Sequence, residues 1–388
     1  MIAYNTKWLD NLIVQNEANS ASKKGCISKE ENATIQQQYP VGFYMPNPFV
    51  RIGLFILTVI IAFFSFGLIS MLFISWGNEN LGFLSIFFGV ITYIMLEIMV
   101  RSKNHYKSGV DDALMWMAAA FIITGLNFIG NFKSVNNAII VFIIAFYFTV
   151  RFANTIIAAV AFLSLLAIVF LSYIKLGPVA KATTPFLLML ITGMLYFYLK
   201  KKLGMKQLKY YPDCFIIIII AALVCFFLEG NYYVVRETSN KMFNLNLKEG
   251  ESIPYGWIFW FLTFFIPILY IFQGLKAKDK IVLRIGALLI AGIVFTFRFY
   301  YHVVSTEIAM SIGGIILIIL AYSLTKYLAL PKNGFTAQLS SDKHFMDSFN
   351  IEAIVIAETY AAPPVALTQD NTLFGGGSGG GGGASGNY

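Results

Sequence analysis

Charge is scarce in this chain. Asp, Glu, Lys and Arg make up 12% of its 388 residues, against about 25% in an ordinary soluble domain, while 58% are hydrophobic. That balance excludes a water-surrounded fold of this length. Cysteine is nearly absent too: Cys26, Cys214 and Cys225 are scattered and odd in number, so neither a disulfide framework nor a metal-ligand spacing is implied. The three histidines, His105, His302 and His344, are isolated from one another. HExxH, GxSxG, Walker A and GxGxxG patterns are all missing. Adjacent Asp111 and Asp112 point to different helix faces and cannot form a facing catalytic pair. Enzymatic chemistry, a cofactor and a bound metal are therefore not expected. The first 49 residues hold eight charges and no apolar h-region, so a cleavable signal peptide is not expected either.

What the chain does have is apolar length. Stretches at 52–75, 81–100, 112–130, 134–150, 154–174, 184–200, 213–228, 256–274, 282–301 and 308–327 approach the ~20 residues that a bilayer-spanning helix needs. The run 138–174 is interrupted only by Arg151 and Asn154. One helix of that length would measure ~55 Å, well beyond the bilayer core, so a tight reversal at Arg151-Phe-Ala-Asn154 is predicted. With the N-terminus inside, 21 of the 28 Lys and Arg residues fall on the inner side and 7 on the outer. That bias fits ten spans with both termini cytoplasmic. It also explains the net charge of +8 without nucleic acid as a partner. Trp76 and Trp257 fall at outer interfaces, where indole rings favour the headgroups. The fold class is thus all-α: a polytopic membrane protein of about ten transmembrane helices.

The ends divide further. Residues 1–50 read as a helical hairpin and a Pro-rich connector. Trp8, Leu9, Leu12 and Ile13 share a helix face, Gly25 suits a helix end, and Ser28 with Glu31 forms a capping box. Fifty residues are too few for an independent core, so the hairpin is expected on the membrane surface or on a partner. The transmembrane domain spans 51–327 and a cytoplasmic segment spans 328–374. The tail, 375–388, carries nine glycines and reads as a flexible coil. It ends at Tyr388, whose aromatic ring and carboxylate suit capture by a protein partner.

The order of short helix, Gly25-x-Ile27-Ser28-x-Glu30, second helix ending at a Tyr, linker and many spans resembles the bacterial membrane-protein family called domain of unknown function 2157. Arg298-Phe-Tyr-Tyr301, followed by Ser311-Ile-Gly-Gly, resembles the last helices of that family. The resemblance implies a multi-pass protein of the bacterial inner (cytoplasmic) membrane and brings no activity with it. The tail alone is similar to the Gly-rich endings of membrane proteins with a TPM domain.

Charged residues near the bilayer interior mark candidate functional positions. Glu97 is expected to pair locally with Arg101, four residues on. Asp111 and Asp112 complement a helix N-terminus, with Ser108 as a cap. The richer cluster lies at outer span ends: Glu229, Asn231, Tyr232, Tyr233 and Arg236 after one span, and Arg298, Tyr301, His302 and Glu307 between the last two. Two readings of Arg298 stand. It pairs with Glu229 or Glu307 or snorkels, or it anchors a polar or anionic solute with Tyr301 and His302 as donors. The outer loop 229–255 is expected to cover that site or to meet a partner. Three functions follow in order. The first is a non-enzymatic scaffold that gathers partners through its hairpin and tail. The second is a secondary transporter or channel for a small polar or anionic solute, for which the Pro185 and Pro267 helix interruptions speak. The third is a lipid-linked glycosyl transferase.

Overall fold

The computed structural model describes residues 2–73, 78–130, 132–203, 205, 208–247, 251–301 and nine positions between 308 and 326. Among the described residues are twelve α-helices: α1 (Thr6–Lys23), α2 (Lys29–Gln38), α3 (Pro48–Phe73), α4 (Asn78–Arg101), α5 (Val110–Gly130), α6 (Ser134–Phe152), α7 (Thr155–Tyr173), α8 (Pro178–Lys202), α9 (Pro212–Gly230), α10 (Tyr232–Phe243), α11 (Gly256–Ala277) and α12 (Lys280–Tyr301). Nine of these, α3–α9, α11 and α12, are long and apolar enough to cross a membrane. The chain is an all-α, multi-pass membrane protein. Of the tenth apolar window, the nine described positions are helical; its remaining residues lie outside the described set, as do Trp76 and residues 327–388, Tyr388 included.

The predicted reversal in the long apolar run is present. Helix α6 stops at Phe152, Ala153 takes a left-handed conformation (φ 49°), and the Asn154 side chain accepts from the amides of Ile156 and Ile157 to start α7. An amide side chain at an N-cap satisfies donors that a helix start would otherwise leave open in a medium without water. Sequence-adjacent spans pack as antiparallel pairs, and small residues set the closest approach. A Cβ on Gly125 would sit 2.6 Å from the carbonyl oxygen of Gly82. Beside them Ser85, fully buried, donates to the carbonyl of Phe121 at 2.9 Å. Close backbone contact of this kind replaces the hydrophobic drive that lipid removes. Apolar side chains also point outward: Phe49, Phe64, Leu68, Trp257 and Ile268 are exposed, as a lipid-facing surface requires and a water-facing one would not tolerate over such an area.

The hairpin lies against one end of the bundle. Its capping box forms as the spacing predicts, with Ser28 and Glu31 each accepting the other's amide. Gly25 closes α1 at φ +73°. Ala3 donates its amide to the carbonyl of Arg151, at the α6–α7 reversal, at 2.8 Å. Tyr4 is buried among Phe43, Tyr106 and Phe152, edge-on to each. Asp10 accepts from Lys209 at 2.7 Å and from Tyr210 at 3.0 Å. The connector joins in: Tyr44 exchanges backbone hydrogen bonds with the α4–α5 loop, donating to Asn104 and accepting from Tyr106. Burial raises the Tyr4 phenol well above the usual tyrosine range, and the nearby Asp111 and Asp112 push the same way. Burial raises Tyr106 as well. The hydrogen bond from Lys209 holds the Asp10 carboxyl below the usual range.

Candidate functional site

Helices α9 and α10 form one broken rod. Helix α9 begins with Pro212 in its first turn and ends at Gly230. Asn231 is extended (φ −78°, ψ 127°), and its side chain accepts from the amide of Val234 to start α10. The break needs partners for the backbone groups it frees, and neighbouring helices supply them. Thr263 of α11 accepts from the amide of Tyr232 at 2.9 Å. Asn231 Nδ2 donates to Thr296 of α12 at 2.9 Å. Asn231, Thr263 and Thr296 are all nearly inaccessible. Gly230 brings the crossing close: a Cβ there would lie 2.9 Å from Ile266 Cδ1, the movable end of that side chain, and 3.4 Å from Leu262 Cβ and Met189 Cε.

The break sits inside the bundle. Glu229, one residue before the end of α9, accepts a hydrogen bond from the Thr192 hydroxyl at 2.9 Å. Thr192 lies fourteen residues from the start of α8 and ten from its end, or about 21 Å and 15 Å along the axis at 1.5 Å per residue. The sequence reading places Glu229 at a span end, and α9 does end one residue after it; its side chain reaches the Thr192 hydroxyl of α8, and α10 follows where a surface loop is expected. Lys181, in the first turn of α8, donates to the carbonyl of Met242 at 3.0 Å and lies over the Phe243 ring, closing the C-terminal end of α10.

Between α8, α9 and α10 lies a cavity of about 150 Å³. Pro185 and Leu188 of α8, Cys225 and Leu228 of α9, and Val234 and Met242 of α10 give it apolar walls; Glu229 and Lys181 are its charged members. Helix α10 is locked on its other side. Arg236, 4% exposed, donates to the carbonyl of Glu251 at 3.0 Å and to Glu237 at 2.7 Å, and lies over the ring of Tyr300. Tyr232 stacks on Trp260 with ring centres 4.7 Å apart.

Of the residues singled out in the sequence, Glu229 lines this cavity. Arg298 is half-buried on α12. It stands two residues, about 200° around the axis, from Thr296, which faces the break. Tyr301 ends α12; its side chain lies outside the described set, as do His302, Glu307 and Tyr388. Threonines 192, 263 and 296 and helix α10 escaped the sequence reading. The signal for α10 was present: Asn231 and Asn244 bracket a stretch whose Tyr232, Val235 and Arg236 share one buried face.

A second polar layer lies near the hairpin. Glu97 pairs with Arg101 as its spacing predicts, at 2.7 Å, and also with Arg151 at 2.9 Å, while accepting from Tyr93 at 2.8 Å. Ser108 and Asp111 bond at the start of α5. Asp112 accepts from Arg51 at 2.6 Å and from Asn154 at 3.1 Å. Lys107 pairs with Asp213 at 3.2 Å. Asp111 apart, whose partners are the neutral amide and hydroxyl of Ser108, these charges are matched across five helices and their loops, which is the chemistry of a staple. Glu229, like Asp111, has a neutral polar partner among the described residues, and it lines a cavity. No group of three metal-ligating side chains exists among the described residues. Comparison with known protein families, curated proteins and solved structures finds no match.

Proposed function

We propose that this multi-pass membrane protein is a secondary transporter or channel that takes a small solute into the cavity beside the α9–α10 break. One observation carries the reading: a helix is interrupted within the bundle, and a carboxylate at the interruption faces a cavity. Irregular backbone within a membrane bundle is tolerated where it lines a cavity, and broken helices mark substrate sites in many carriers. An ionisable group held among membrane helices is costly unless it has a task. Pro185, within α8 and in the cavity wall, adds a second irregularity at the same place.

The scaffold reading draws on the tail, outside the described residues, and on the hairpin, whose Tyr4 and Asp10 face is spent on the bundle. The transferase reading draws on the cluster of Arg298, His302 and Glu307, of which His302 and Glu307 lie outside the described residues. The break therefore favours transport. The distribution of Lys and Arg supports placement in a bacterial inner membrane with both termini cytoplasmic, in keeping with the resemblance to domain of unknown function 2157.

Uptake by proteoliposomes of the full chain, measured over a panel of labelled small cations, anions and neutral solutes, tests the function. Ser239→Phe, which places a ring in the cavity wall, should abolish whatever uptake the unsubstituted protein supports. No uptake of any solute, or uptake indifferent to that ring, sinks the reading. Reporter fusions at both ends test the orientation; opposite sides for the two termini would overturn it.

A further inference from the structure

Resting on that reading, we infer that the cavity takes a small organic cation: an amine in its ammonium form with an apolar body of about six carbons, bound with Glu229 as counter-ion. The charge follows from the bookkeeping of the site. A carboxyl group held among helices ionises only at a cost that a compensating charge would offset, and Thr192 offers Glu229 one neutral hydroxyl, which also lies within reach of the Leu188 and Met189 carbonyls. Lys181 does not fill that role. Its ammonium is committed to the Met242 carbonyl and the Phe243 ring. It also stands eleven residues from Thr192 on α8, about 16 Å along the axis. The shape follows from the walls. Pro185, Leu188, Leu228 and Val234 present hydrocarbon, which rewards an apolar body, while Thr184, Thr238 and Ser239 add hydroxyls to the wall. The cavity is open on one side, and its volume of about 150 Å³ leaves room for a body of about the size of a benzene ring. Thr192 is a positioning residue. Its hydroxyl stands 2.9 Å from Oε2 and from the Leu188 carbonyl oxygen, and so holds the carboxyl group of Glu229 against α8.

Binding to the full-length protein in lipid nanodiscs tests the inference, with benzylamine, cyclohexylamine and hexylamine as probes and the corresponding alcohols and carboxylates as controls. At least one amine should bind at least about tenfold more tightly than its alcohol and its carboxylate, the ordinary scale for a desolvated charge pair. Glu229→Gln, which keeps a group able to accept from Thr192, should remove that preference while its unliganded melting temperature stays near that of the unsubstituted protein. Thr192→Val should weaken amine binding severalfold and leave the alcohols unaffected. Because the amine–alcohol contrast is read on the unsubstituted protein, it decides the matter even if a variant fails to fold. Equal binding of amines and alcohols, or an amine preference that survives Glu229→Gln, overturns the assignment. If alcohols or carboxylates bind and Ser239→Phe blocks them, the substrate class falls and the transport reading stands. If no probe binds and uptake ignores Ser239→Phe, both fall.

Discussion

Asn231 and Thr296 hold each other across two helices, Nδ2 to Oγ1 at 2.9 Å, with 2% and 1% of their surfaces exposed. This pair and the Thr263 hydroxyl make it possible for the chain to interrupt a helix where water is absent. Asn231→Ala removes both the cap on α10 and the partner of Thr296, and should destabilise the protein by about 1–3 kcal/mol. Thr296→Val leaves the cap in place and should cost less. The double variant should fall short of the sum, because the two residues share one bond. Thermal unfolding of the four proteins in one detergent measures all three quantities.

Two glycines with positive φ predict opposite severities. Gly109 (φ +92°) is packed so that a Cβ would collide with the Arg51 carbonyl oxygen. Gly25 (φ +73°) has nothing within 4 Å of the same point. Gly25→Ala should cost only the left-handed strain, about 1 kcal/mol. Gly109→Ala adds a backbone clash at the α3–α5 contact and should lower both yield and melting temperature by clearly more. Equal losses at the two positions would refute the packing argument.

Glu97 serves two arginines unequally. Arg101 is 61% exposed in its side chain and Arg151 is 19% exposed. Arg101→Ala should therefore change stability by no more than about 1 kcal/mol. Glu97→Gln leaves Arg151 half-buried without its counter-charge and should cost about 1–3 kcal/mol, less than a fully buried pair would. Chemical unfolding of the two variants under identical conditions separates these outcomes.

Docking of the hairpin should have a pH window. The Asp10 carboxyl is depressed by Lys209, so its contribution is complete above the ordinary carboxylate pKa of about 3.9 and disappears as pH falls through the lower docked value. At the other end, burial raises Tyr4 and Tyr106. Released phenols ionise near pH 10 while docked ones stay neutral, so docking weakens as pH climbs past that point. Proteolytic nicking within residues 2–24, followed across pH, should be slow in between and fast at both extremes. Asp10→Asn should remove the acid limb and leave the alkaline limb in place.

The spans were legible because lipid imposes length and apolarity on each one separately. Arg151 and Asn154 even betrayed the reversal at 151–154, and Ser28 with Glu31 announced its helix start. Other relationships join positions far apart in the chain. Arg51 meets Asp112 across 61 residues, and no local pattern announces such a pairing. The helix that follows Glu229 was hidden for a related reason. Apolar windows end where charge begins, so α10, with Arg236 and Lys241, reads as a loop. Only the hydroxyls of α8, α11 and α12 reveal that it continues inside the bundle, and single threonines in three separate spans carry no periodic signature.

The seat of Asp10 is built from Lys209 and Tyr210, 200 positions later in the chain. A ribosome adding about 5–20 residues per second needs roughly 10–40 s to deliver that seat after Asp10 has been made. During that interval α1 and α2 are held by the nearer contacts at Tyr106, Arg151 and Phe152, while one span after another is handed to the bilayer. The hairpin is thus fully secured only after the spans that separate it from Lys209 and Tyr210, and it stays open to proteases until then.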